Sequence, residues 1–103
     1  MRSTRSFRET VQARAQSDRK FRRGLLRDAI DALLAGESAL GREILRDYIN
    51  ATVGFPTPAE NTGLHVKTLH QMFGPKGNPT AANLFQIIAC LQQYEGVQLR
   101  VVA

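Results

Sequence analysis

Two clusters of proline and glycine constrain this chain more than any other feature. Gly54-Phe55-Pro56-Thr57-Pro58 and Gly74-Pro75-Lys76-Gly77-Asn78-Pro79 bracket residues 59–73, and Gly63 sits inside the bracket. Proline has no N–H and its ring collides with the preceding turn, so no helix runs through either cluster. The bracketed stretch therefore has room for two short helices and nothing longer. Thr57 is the expected N-cap of the first, with Pro58 tolerated at its first helical position. Gly63 interrupts the pattern after barely two turns, and the second helix is expected from about His65 to Phe73.

Inside the bracket each spacing has a physical reason. Ala59 is small where two helices approach closely. Gly63 supplies the positive φ of a sharp turn. Leu64 plugs that turn, while Leu69 and Met72 or Phe73 anchor the second helix. With those side chains inward, Val66, Lys67, His70 and Gln71 face outward, as on a recognition helix offered to a major groove. An ordinary helical hairpin with glycine at its turn shares this spacing. Charge separates the two readings: residues 55–80 hold Lys67, Lys76, His65 and His70 against Glu60 as the only acid.

The remainder reads as helix. Phe7, Val11 and Ala15 recur every fourth residue, which predicts a short amphipathic helix over 6–16. Residues 18–35 form a firmer one, with Asp18 as N-cap, Phe21, Leu25, Ala29 and Leu33 on one face, and Gly36 as its stop. A third is expected over about 38–52, its stripe made of Leu40, Ile44, Leu45, Tyr48 and Ile49. Asn78-Pro79 gives an N-cap and first-turn proline for a helix that buries Leu84, Ile87, Ile88 and Leu91 and closes at Gly96. Val97 to Val102 alternates apolar and polar and reads as one β-strand, paired with another chain, folded back or covered. The expected fold is thus all-α, five to six helices in one domain: a helical extension over 1–36, a helix-turn-helix core over 37–95 and a strand over 96–103.

Composition narrows the function classes. The chain has 103 residues, 43% hydrophobic and 22% charged, which suits one small packed domain. A core this small is marginal, so a dimer that buries further apolar surface is expected. The net charge is +5, and nine of the fourteen Lys and Arg residues fall within residues 1–27 against only Glu9 and Asp18. That run is either a solvated helix face or a surface for a polyanion. The basic start Met1-Arg2-Ser3-Thr4-Arg5 is followed by no apolar region of a signal peptide, and no apolar stretch has the length of a membrane span. Cys90 is the only cysteine and reads as a small buried residue rather than a nucleophile, which fits a reducing cytoplasm. His65 and His70 are five residues apart and share no helix face, so no zinc site, other metal or cofactor is expected. No Ser-His-Asp array, G-x-S-x-G or phosphate-binding loop is present, and no enzyme is expected.

At this point the chain resembles a family. Ala59-x-x-x-Gly63-Leu64, then Thr68-Leu69-x-x-Met72-Phe73-x-x-Lys76-Gly77-Asn78-Pro79-Thr80, then Leu84-x-x-Ile87-x-x-x-Leu91 is similar to the Cro/cI-type (lambda-repressor-like) helix-turn-helix. More narrowly it resembles the addiction-module antidote proteins, the HigA-like antitoxins, in which a Gly-Asn-Pro-Thr cluster follows the recognition helix. Upstream, Asp18-x-x-Phe21-x-x-x-Leu25-Leu26, Leu33-Leu34-Ala35-Gly36-Glu37 and Leu45-Arg46-Asp47 are similar too, so the likeness spans Phe7 to Leu99. Pro58 departs from the family's usual Leu or Val, and His65 from its frequent Ser or Thr cap.

The resemblance implies an operator-binding, autoregulating repressor that also neutralises a toxin protein. Matched to the family pattern, Val66, Lys67 and Gln71 are the candidates for base edges: Gln pairs with adenine, Lys donates to guanine, and Val packs on a thymine methyl. Thr57, Asn61 and Lys76 are the candidates for phosphates, with His70 beside the reading face. The alternative is a protein-interaction module whose N-terminal helices grip a partner and whose helix-turn-helix has no DNA role. A recognition face with no acid between Val66 and Gly77 favours DNA.

Overall fold

The computed structural model describes residues 4–103; Met1-Arg2-Ser3 and the side chains of Thr4, Arg5, Ser6 and Arg8, which include part of the basic run, lie outside what it describes. Six helices follow in order: α1 Thr4–Ser17, α2 Arg19–Leu34, α3 Ser38–Ala51, α4 Pro56–Thr62, α5 Val66–Met72 and α6 Ala81–Glu95. The all-helical class is as expected. No strand occurs among the described residues, and none of the helices is long and apolar enough to cross a membrane. The chain divides into two compact units, one ending at Gly54 and the other covering Phe55–Ala103.

In the first unit α1, α2 and α3 pack on one another. Asp18 makes the corner between α1 and α2. Its backbone is extended, its carboxylate accepts from the Phe21 N–H at 3.1 Å, and its own N–H donates to the Arg14 carbonyl at 2.9 Å. Across the corner the Arg14 guanidinium lies 4.7 Å from the centre of the Phe21 ring, and Arg22 Nη1 donates to the Ala15 carbonyl at 3.2 Å. Helix α2 ends in a Schellman motif. Gly36 takes φ 84°, and the N–H groups of Glu37 and Gly36 bond the carbonyls of Ala32 and Leu33.

Gly41 explains why α3 can lie so close to α2. A Cβ there would stand 2.6 Å from Leu33 Cγ and Cδ2 and 3.1 Å from the Ala29 carbonyl oxygen. Ala15, Leu26, Ala29, Ala32, Leu45, Tyr48 and Ile49 fill the core between the helices. Two expected core positions fall outside it: Phe7 is 63% and Leu40 45% exposed. Each is the first residue of its helix's apolar stripe, near the N-terminal end of the helix.

In the second unit α4 packs against both α5 and α6. Its start differs from expectation. Phe55 is the N-cap and α4 begins at Pro56, so both Pro56 and Pro58 lie in the first turn. That turn's N–H groups have no intrahelical partner, so two prolines there remove no helix bond. Thr80, not Asn78, caps α6, its hydroxyl accepting from the Asn83 N–H at 3.2 Å. The Thr80 backbone is extended, with φ −68° and ψ 155°, which is the geometry of a cap and aims its hydroxyl at the third N–H of the helix.

The tail also departs from expectation. Residues 97–103 form no strand. Instead the chain turns at Gly96, φ 73°, and the Leu99 N–H donates to Gln92 Oε1 on α6 at 2.7 Å. Val97 and Leu99 are thereby half-buried, while Val101 and Val102 stand exposed.

Candidate nucleic-acid interface

The turn between α4 and α5 is built by three neighbouring residues. Gly63 holds φ 76°, a conformation costly for any residue with a Cβ, and its N–H bonds the Ala59 carbonyl at 3.0 Å. The Thr62 hydroxyl donates to the Pro58 carbonyl at 2.7 Å and lies 3.4 Å from the Leu64 N–H, which donates to it. The end of α4 is thus closed by a side chain as well as by its glycine. Ala59 and Pro58 are buried beneath, and Leu64 is half-buried.

Helix α5 is held by one face only. Leu69, Met72 and Phe73 are buried, whereas Val66, Lys67, His70 and Gln71 are exposed. For 67, 70 and 71 the division follows from 3.6 residues per turn, since they fall away from the stripe shared by 69, 72 and 73; Val66 lies on that stripe by spacing but, as the helix's first residue, is 38% exposed. His65 caps the helix with its backbone extended but makes no side-chain cap bond. Phe55 lies under the helix, its ring centre 4.3 Å from that of His70 and 5.9 Å from that of Phe73. His70 is therefore exposed on one side and packed on the other, which fixes it at the edge of the face.

Beyond α5 the chain doubles back. The Gly77 N–H bonds the Gly74 carbonyl at 3.0 Å, and Gly77 lies directly against the end of α5. A Cβ on Gly77 would overlap the Met72 carbonyl oxygen and stand 2.5 Å from that of Gln71. This close approach makes an open groove of about 600 Å³ lined by Thr68, Gln71, Pro75, Lys76 and Asn78, among others. Gln71 and Lys76, expected to touch a base and a phosphate respectively, are brought together on its walls.

The other expected residues are placed apart from that groove. Val66 and Lys67 are on the exposed face of α5, and Thr57 is exposed in the first turn of α4. Asn61 is turned toward α6: its Nδ2 donates to Cys90 Sγ at 3.3 Å, and it lines a separate depression with Thr62, Gln86, Ala89 and Gln93. Cys90 is buried, where the amide of Asn61 gives its sulfur a donor. Sequence reasoning passed over Thr68 and Asn78 as groove residues. Thr68 stands three positions before Gln71 and so shares its face, a spacing that was there to be used. For Asn78 the signal lay in Gly77, whose need to touch α5 is not written in its neighbours.

No family model, curated protein or solved structure matches the chain.

Proposed function

We propose that this protein is a sequence-specific, DNA-binding transcriptional regulator of the Cro/cI helix-turn-helix type. One observation carries the reading: a seven-residue helix, anchored by Leu69, Met72 and Phe73, exposes Lys67 and Gln71 on its opposite side and leaves Val66, its first residue, 38% exposed. Each of those side chains suits a base edge, and the adjoining groove sets Lys76 beside Gln71 for the flanking phosphate. An autoregulating repressor of an addiction module, with a toxin protein as second partner and the cytoplasm as its place of action, follows from the resemblance to antidote proteins alone.

A single recognition helix reads only a few base pairs, so an operator-binding homodimer is part of the proposal. The exposed Phe85 of α6 and the exposed Val101 and Val102 of the tail offer apolar surface for a second copy. The test is enrichment of duplexes from a randomised DNA pool by the intact chain. The expected result is one recurring motif with two-fold symmetry and half-sites about one helical turn apart. Recovery of no motif after repeated rounds would sink the proposal.

A further inference from the structure

Charge is unevenly divided between the two units. The segment Phe55–Ala103, which contains the reading helix, has three cations, Lys67, Lys76 and Arg100, against two acids, Glu60 and Glu95. Its net charge of +1 is small for a duplex binder, since affinity for DNA rests on neutralising several phosphates at once. Residues 1–54 hold the other eleven cations against seven acids. Between Arg19 and Arg27 alone there are five cations and no acid.

These five are not equivalent. Arg22 is half-buried and donates to the Ala15 carbonyl, and Arg23 is also half-buried and engaged. Arg19, Lys20 and Arg27 are exposed. Among the described residues no acid pairs with Arg19 or Lys20, and Arg27 meets only the exposed Asp28 at 3.6 Å. Lys20 and Arg27 are seven residues apart and so share one helix face. Gly24 lies between them, and a Cβ there would have only Arg27 Nη2 near it, at 3.8 Å, which leaves the face flat. Folding does not ask for these charges. Arg19 and Lys20 stand in the first turn of α2, where the helix dipole disfavours cations, and the neighbouring Asp18 carboxylate is taken up by the Phe21 N–H and by Arg14, 3.8 Å away.

We infer that the face of α2 carrying Arg19, Lys20 and Arg27 is a second phosphate-contacting surface for duplex DNA, supplying sequence-independent affinity. The inference rests on the reading of the chain as a DNA binder. It assigns two tasks to two places: α5 selects the sequence, and α2 supplies much of the attraction to the backbone.

The double variant Arg19→Gln/Lys20→Gln tests it, because glutamine keeps the length and helix propensity of the residues it replaces. Binding of the intact chain and the variant to a mixed-sequence 24-base-pair duplex (on the order of two helical turns) would be followed by fluorescence anisotropy at several salt concentrations. The expected slope of log affinity against log salt is shallower in the variant by about 1.8, from about 0.9 per phosphate contact. Between about 50 and 200 mM salt the parent then loses roughly tenfold more affinity than the variant. The variant's melting temperature is expected to equal or exceed the parent's. An unchanged slope in a variant that still binds DNA overturns this inference alone, and leaves the face to an acidic protein partner. Failure of the parent to bind any duplex at low salt overturns the functional reading with it.

Discussion

His65 is the residue at which local chemistry and helix formation disagree most openly. It occupies the N-cap of α5 with extended backbone, yet its side chain makes no cap bond. Asp18 and Thr80, in the same position on α2 and α6, each accept from the N–H three residues on. Serine at 65 should do likewise, so His65→Ser is expected to stabilise the fold by about 1 kcal/mol, read as a raised melting temperature. No rise would mean that His65 already stabilises α5 by another route. Beside it, His70 shows how one residue divides its surface: the ring is packed on Phe55 at 4.3 Å while the residue remains exposed. From sequence it reads as a plain outward position, because helical periodicity says which stripe a residue lies on and not what reaches it from another element.

At the scale of elements, Gly77 bears on α5 from outside it. Alanine there would gain a little from a less flexible unfolded chain, about 0.4–1 kcal/mol. Against that stands a Cβ pressed on the backbone carbonyls of Met72 and Gln71, which cannot swing aside as a side chain could. Overpacking of this kind costs roughly 1–3 kcal/mol, so the steric term wins and Gly77→Ala is expected to melt lower and bind DNA more weakly. Thermal unfolding and duplex titration of that variant check both parts. A variant as stable as its parent would show that the loop lifts away without cost.

The helices were legible for the same reason that this loop was not. Asp18, Gly36, Gly63 and Gly96 act within a few residues of themselves, and all four mark real helix ends. The outward face of α5 follows from the spacing of Leu69, Met72 and Phe73. Contacts between distant segments left no such trace, among them Asn61 on Cys90, Leu99 on Gln92 and Gly77 against α5. The tail was misread because alternation of apolar and polar residues describes a strand only where a neighbouring strand exists. Here the Leu99 N–H turned instead to a side chain of α6.

On the scale of the whole molecule the issues are assembly and discrimination. Phe85 is 64% exposed on α6, a large apolar side chain that the described residues leave mostly uncovered. Sedimentation is expected to give a dimer at tens of micromolar, and Phe85→Glu to shift it toward monomer by placing two like charges at one two-fold contact. A monomeric parent would remove the dimer from the proposal. The most direct measurement concerns α5 itself. Gln71→Ala should be titrated against the duplex enriched by the intact chain and, in parallel, against a mixed-sequence duplex of equal length. A base contact predicts a loss of roughly 1–3 kcal/mol, about fivefold to 150-fold, on the enriched duplex and almost none on the mixed one. Equal losses on both, or no loss on either, would contradict the assignment of α5 as the helix that reads sequence.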